Sequence, residues 1–393
     1  MKIQDKRFRI PMFRTRVPAF SYNRLCPSDL SECVESFCRL ETVLMTTDLV
    51  YHDTFVKHEI SVGHPESPDR LRSAMNYTKK AGLFENNKLN LFTPEPVDLE
   101  LVYTIHDRKY LEGVREKSKM GGGFYTLDTA VNQYTFEAAL LAAGGGVGAV
   151  DRIMAGTTKN AFVLCRPPGH HAEFERAFGF CFINNIAVAA NHLLKNHGLK
   201  RIMIVDYDAH HGNGTQNSFY SSNQVLYVGL HQDGRTLVPG SGFPDEIGKG
   251  EGQGYTLNIA MYPGAGDKSY ELAFSKVIEP LAESFKPEFI LVSVGFDAHY
   301  KDPLTSLGLT TTGFAMMNSR LNQIASSVTS GKLACFLEGG YNLDVMGMCT
   351  QNLLEELVGI QVSKFDEHHT ESENCTKYTE DLIEHLTRTS PLL

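Results

Sequence analysis

The stretch Ile202 to Gln216, IMIVDYDAHHGNGTQ, decides how the chain is read. Its first four residues form a continuous apolar run, the pattern of a strand buried on both faces. Directly behind it come Asp206, Asp208, His210, His211 and the glycines Gly212 and Gly214. Side chains two apart in an extended segment share a side, so Asp208 and His210 can face one ion while Ala209 turns away. The spacing predicts a metal site at a strand end.

Working outward, similar apolar runs occur at Ala161–Leu164, Val225–Leu230, Tyr255–Ala260, Phe289–Val294 and Leu333–Leu337. Helix-like stretches lie between several of them: Ile186–Lys195, Ser269–Glu283 and Gly313–Val328. Continuous apolar strands alternating with helices predict an α/β fold, a mostly parallel central sheet with helices on both faces. Sites in such sheets form at the carboxyl ends of the strands, and polar residues gather there. Arg166-Pro167-Pro168-Gly169-His170-His171 follows the first run, and His231 and Asp233 follow the Val225 run. Gly295-Phe296-Asp297 closes the Phe289 run, and Glu338-Gly339-Gly340-Tyr341 closes the last.

A lone Asp-x-His is more often a hydrogen-bonded turn than a metal ligand pair. Its coincidence with Asp297 at a second strand end reverses that preference. Three protein ligands with a fourth position open to water mark a catalytic rather than a structural zinc site. Two carboxylates cancel the charge of a divalent ion, so a general base gains importance. His170-His171, in a loop stiffened by two prolines, supplies the candidate, and Tyr341 supplies a phenolic donor for an oxyanion. Metal, base and donor together specify hydrolysis of an acyl bond.

Composition sets limits. The net charge of −9 over 393 residues argues against direct nucleic-acid binding and suits a cationic substrate. No apolar window approaches the length of a membrane span. The eight cysteines include no CxxC pair and read as buried free thiols, which favours an intracellular, first of all cytoplasmic, setting. Residues 1–45 read as a basic extension, with Lys2, Lys6, Arg7, Arg9, Arg14, Arg16 and Arg24 facing only Asp5 before Asp29. A tail draped over the domain is favoured there over a targeting arm. The catalytic domain is placed at 46–360, and 361–393 as a polar, acid-rich tail with a short terminal helix.

The segments HPESPDR, RPPGHHAE, GFCFINNIAVAA, VDYDAHHGNGTQ, SVGFDAHYKDPL and LEGGYNLD, in that order, resemble the zinc-dependent histone deacetylase family. The likeness spans Thr46 to Gly359 and implies a single-domain arginase-deacetylase fold, with acetylpolyamine amidohydrolases as relatives. It implies that Asp208, His210 and Asp297 hold one catalytic zinc and that His171 is the general base and acid. His170 would be the electrostatic partner, with Asp206 paired to it, and Tyr341 would polarise the acetyl carbonyl. Asn213, beside His171, resembles the class II pattern, and a neutral partner there leaves His171 less basic than a carboxylate would. By similarity, one potassium ion would sit at Asp206, Asp208, His210, Gly229 and Leu230. A second would sit around Phe219, Ser222, Val225 and Tyr255. Gly229 stands where relatives often carry serine.

The expected substrate is an acetylated protein or peptide. Gly179-Phe180 resembles one wall of an acyl-lysine tunnel. On the opposite wall, Val238 replaces the usual aromatic residue before the proline of LVPGSG. Either a wider tunnel results, or Leu237 or another loop fills the gap. Leu304 occupies the place of a glutamate in polyamine-specific relatives, which favours acyl-lysine over acetylpolyamines. Asp128 is a candidate for holding substrate backbone at the rim.

Other features read as structural. His64 orders a loop, Gly144–Gly148 packs a helix closely since no Lys-Ser/Thr follows, and His368-His369 lacks a strand-end context. A dinuclear manganese site would need further aspartates after His211. A non-catalytic acyl-lysine reader would not need the intact set of ligands, base and tyrosine.

Overall fold

Every apolar run read as a strand forms one. The computed structural model describes residues 46–393, so the expectations for the basic extension lie outside the described residues. In chain order the strands are β1 Thr47–Val50, β2 Leu89–Phe92, β3 Gly122–Phe124, β4 Ala130–Asn132, β5 Asn160–Val163, β6 Ile202–Asp206, β7 Val225–Gln232, β8 Thr256–Met261, β9 Phe289–Val294 and β10 Leu333–Leu337. Eight of them build one sheet in the order β2-β1-β5-β10-β9-β6-β7-β8. All its pairings are parallel. β3 and β4 form a separate antiparallel ribbon.

Each residue of β5 through β10 is buried, so helices cover both sheet faces. That explains why these strands read as continuous apolar runs rather than alternating ones. β1 and β2, TDLV and LNLF, escaped the sequence reading because four residues with polar members carry little signal. β7 runs to Gln232, so His231 lies within the strand and not beyond it as expected. The Ser269–Glu283 stretch is a continuous helical run, Asp267–Ala273 and Glu279–Phe285, joined by a π-helical turn at Phe274–Ile278.

The glycine run lies in the Thr135–Met154 helix. A methyl group on Gly144 would collide with Glu95 O, and one on Gly146 with the Phe336 ring. Residues 361–393 contain the 17-residue helix Glu373–Thr389, whose Cys375, Leu382 and Leu386 are buried. It packs on β8, the last strand of the sheet, and on the Asp267–Ala273 helix.

The strand order sets β5, β10, β9 and β6 side by side at the centre of the sheet. Their carboxyl ends carry RPPGHH, EGGY, GFD and DYDAHH. Loops scattered between Arg166 and Tyr341 in the sequence therefore meet at one rim.

Candidate metal centre and active site

β6 ends at Asp206, and Asp208 and His210 follow it in the extended turn. From the neighbouring strand β9 comes Asp297. The ligand atoms of Asp208, His210 and Asp297 all lie within 4.8 Å of one another, and all three residues are buried. His210 Nδ1 sits 3.1 Å from Asp208 Oδ1 and 2.9 Å from Asp297 Oδ2. Backbone amides fix the carboxylates: Ala209 N–H donates to Asp297 Oδ1 at 2.9 Å and Gly339 N–H to Asp208 Oδ2 at 2.7 Å. A side chain on Gly295 would strike Asp208, and one on Gly339 would strike both acids, so glycine is required for the backbones to close around them.

The electrostatics of this cradle call for a cation. Burial opposes charge on His210, yet hydrogen bonds to Asp208 and Asp297 outweigh it and lift its pKa to about 10. Burial and the nearby Asp208 carboxylate push Asp297 upward. Two buried carboxylates and one imidazole nitrogen form an O2N donor set that suits a zinc-class divalent ion.

The histidine doublet lies beside this centre, with ring centroids 4.1 Å apart. His170 Nδ1 meets Asp206 Oδ2 at 3.1 Å. Burial disfavours its cation, but Asp206 and then Asp208 prevail and raise its pKa to about 10. His171 goes the other way: burial first, then the positive His170 and His210, hold it well below the usual histidine range. Asn213 fixes its tautomer. Asn213 Nδ2 donates to Glu173 Oε1 at 2.7 Å, which turns Oδ1 toward His171 Nδ1, also at 2.7 Å. That oxygen can only accept, so Nδ1 carries the proton and Nε2 keeps a free lone pair. Gly179 crosses so close to the imidazole that any side chain there would overlap it.

Tyr341 N–H donates to Asp302 Oδ2 at 2.8 Å. Burial and the Asp297 charge keep the Tyr341 hydroxyl well above the ordinary tyrosine range, so it remains a donor at neutral pH. Arg70 lies over its ring at 5.1 Å and Phe180 meets it edge-on at 6.0 Å.

The residues that hold this arrangement were missed in the sequence, although they sit inside its motifs. Glu66 is fully buried between Arg166 and Arg70, taking Arg166 Nη2 at 2.7 Å and Arg70 Nη1 at 3.1 Å. Arg70 Nε donates to Gly340 O at 2.7 Å and so clamps the glycine pair before Tyr341. Glu338 Oε2 accepts from Gly169 N at 2.7 Å and His170 N at 3.0 Å, joining the end of β10 to the histidine loop. Charged residues in short polar segments, such as Glu66 and Arg70, or just before proline or glycine, such as Arg166 and Glu338, give no sign that they are buried.

A cavity of about 380 Å³ opens above these groups. His171, His210 and Tyr341 line it together with Phe178, Gly179, Phe180, Leu237, Val238, Leu304 and Asp128. Leu237 and Val238 share the wall, with Val238 still 63% exposed. His64, expected only to order a loop, also lines the cavity, its ring edge-on to Phe180 at 4.9 Å. Asp128 Oδ1 accepts from Thr126 and Thr129 hydroxyls at the mouth. For the expected potassium positions, strand register pairs Asp206 with Gly229, beside Leu230. Phe219 O accepts from Ser222 N at 2.9 Å near the start of β7, where Val225 lies, and Tyr255 O accepts from Tyr227 N at 3.0 Å.

The histone deacetylase domain matches residues 64–357 of this chain. The chain belongs to the histone deacetylase family. Among the relatives of this family member, a probable deacetylase of Archaeoglobus fulgidus is 42% identical over 300 residues, 76% of this chain and 82% of its own. Histone deacetylase 10, chloroplastic, of Oryza sativa subsp. japonica is 34% identical over 354 residues, 86% and 80% of the two chains. The crystal structure of the HDA15 HD domain is 34% identical with a TM-score of 0.80, over 88% of this chain and 96% of that one. As a histone deacetylase family protein, the chain has the arginase-deacetylase fold and is a deacetylase, a hydrolase of amide bonds.

Proposed function

We propose that this protein is a zinc-dependent deacetylase that hydrolyses the amide of N-acetyl-lysine, or of a longer acyl-lysine, in proteins. The observation that carries the reading is the convergence of Asp208, His210 and Asp297 with His171 and Tyr341 at the base of one cavity. Zinc held by those three ligands would supply Lewis acidity toward the acyl carbonyl and toward water.

The chain's own groups supply the rest. His171 Nε2, neutral and unprotonated, accepts a proton from water as its oxygen bonds to the carbonyl carbon. The Tyr341 hydroxyl donates to the developing oxyanion. His170, held positive by Asp206, lies against the His171 ring and offsets the negative charge of the transition state. When the carbon–nitrogen bond breaks, His171 returns its proton to the departing lysine amine, and acetate leaves. Phe180 and Phe178 give the lysine stem apolar walls. Leu304 places no carboxylate where a second ammonium of a polyamine would need one.

By the same reading, potassium is held at Asp206, Asp208, His210, Gly229 and Leu230, and at Phe219, Ser222, Val225 and Tyr255. The catalytic domain is assigned to 46–360, a division supported by the family match at 64–357. The test is kcat/KM of zinc-loaded protein on acetyl-lysine, longer acyl-lysine and acetylpolyamine substrates, beside Tyr341→Phe. Acyl-lysine cleavage is expected to dominate, and to fall about a hundred- to a thousandfold in kcat without the hydroxyl. Preference for polyamines, or a near-normal variant, would overturn the assignment.

A further inference from the structure

A second cluster of metal-binding groups lies apart from the catalytic rim. His192 occupies the last turn of the Asn185–Lys195 helix, His197 follows in the next loop, and Asp151 stands in the last turn of the Thr135–Met154 helix. The two helices pack against each other. His192 Nε2 is 2.7 Å and His197 Nε2 is 2.6 Å from the same oxygen, Asp151 Oδ1. The three ligand atoms fall within 4.8 Å of one another.

We propose that Asp151, His192 and His197 form a second site for a zinc-class divalent cation, separate from the catalytic centre. Two neutral imidazoles and one carboxylate are the donor set preferred by such ions, and three protein ligands leave a position for water. Both imidazoles present the same nitrogen to one point. His192 Nδ1 is sealed from solvent without a hydrogen-bond partner, so Nε2 carries the polar interactions of that ring. The carboxylate end of the trio is open, with the Asp151 side chain 46% exposed against 12% for His192. Beside it runs a cavity of about 640 Å³ lined by Glu95, Asp98, Asp151, His192 and Asn196, whose acids draw cations toward the histidines. The carboxyl ends of both helices meet here, adding two negative dipole ends. Binding requires the imidazoles to part slightly from Asp151, because ligands at about 2.0–2.1 Å from a zinc ion stand farther apart than a hydrogen bond. His197, in a loop, has that freedom.

The site would join the loop after the Asn185–Lys195 helix to the neighbouring helix. The opposite end of that helix abuts the catalytic loop, where a side chain on Gly169 would meet Asn185 N. The cation therefore braces the far end of a helix that supports the active site.

The test is equilibrium dialysis of the purified full chain against micromolar zinc, with bound metal counted by atomic emission. His197→Ala and Asp151→Asn are each expected to lose one equivalent relative to wild type, with affinity for it weakened at least about tenfold. Both should keep wild-type deacetylase activity, and excess zinc should raise Tm further in wild type than in either variant. Variants that bind as much zinc as wild type, and are stabilised by it equally, would overturn the proposal. The equivalent that disappears with His197 is the readout, so the result does not depend on what the catalytic centre holds.

Discussion

A methyl group on Gly339 would fall against Asp208 Oδ2 and Asp297 Oδ2, and the Gly339 amide is one of the donors that orients Asp208. Gly339→Ala is therefore expected to retain the fold while losing most of the metal that Asp208, His210 and Asp297 can hold and most of the activity, as measured by metal content and turnover on the same sample. Full metal content in the variant would mean that the backbone has more room than described. Asp208, His210 and Asp297 were legible in the sequence because residues of metal-ligating type stood at fixed distances behind apolar runs. Glu66, Arg70, Arg166 and Glu338 were not, since charged side chains are ordinarily exposed and nothing in a string of letters marks a partner some 270 positions away, as Gly340 is for Arg70.

Among the elements, the Thr135–Met154 helix shows how a propensity rule can be reversed by packing. Alanine normally stabilises a helix by up to about 1 kcal/mol over glycine. At Gly146 the added methyl would meet the Phe336 ring of β10, inside a helix-on-sheet contact. Gly146→Ala should thus destabilise the protein by about 1–3 kcal/mol, the usual scale for overpacking a core, as read from denaturant unfolding. A stabilised variant would refute the contact. This helix was legible as a packing element because Gly144–Gly148 lacked the residues of a phosphate loop. The short strands β1 and β2 were not, because their identity comes from the partner strand and not from their own four residues. β7 was legible but too short by two residues: His231 and Gln232 are polar, yet both are buried, with His231 Nε2 2.9 Å from Gly242 O.

Across the whole molecule, one buried cluster makes a definite contribution to how stability depends on pH. His58 and Glu66 are both fully buried beside Arg166. Burial, and then the Arg166 charge, lower the His58 pKa to about 3. Burial opposes the Glu66 charge, but Arg166 and Arg70 outweigh it and bring its pKa down to about 2. Both groups bind protons more tightly in the unfolded chain, so stability is lost as pH falls. The His58 contribution fades from about pH 6.5 toward 3, and that of Glu66 from about 4.5 toward 2. Tm should decline from neutral pH downward and steepen below about 4.5. Glu66→Gln should begin less stable, by about 3–5 kcal/mol for a broken buried pair, and decline less steeply below about 4.5. An unchanged slope below 4.5 in that variant would remove Glu66 from the account.

The order in which the centre draws its parts from the chain also matters while the protein is being made. Asp208 and His210 are synthesised first, Asp297 nearly ninety positions later, and the Gly339 amide that steadies Asp208 later still. A nascent chain that stops between His210 and β10 has two ligands or three, but no clamp and no Tyr341. No product that stops short of Tyr341 can therefore complete this site, and its parts come together only once β10 and the turn behind it have been made.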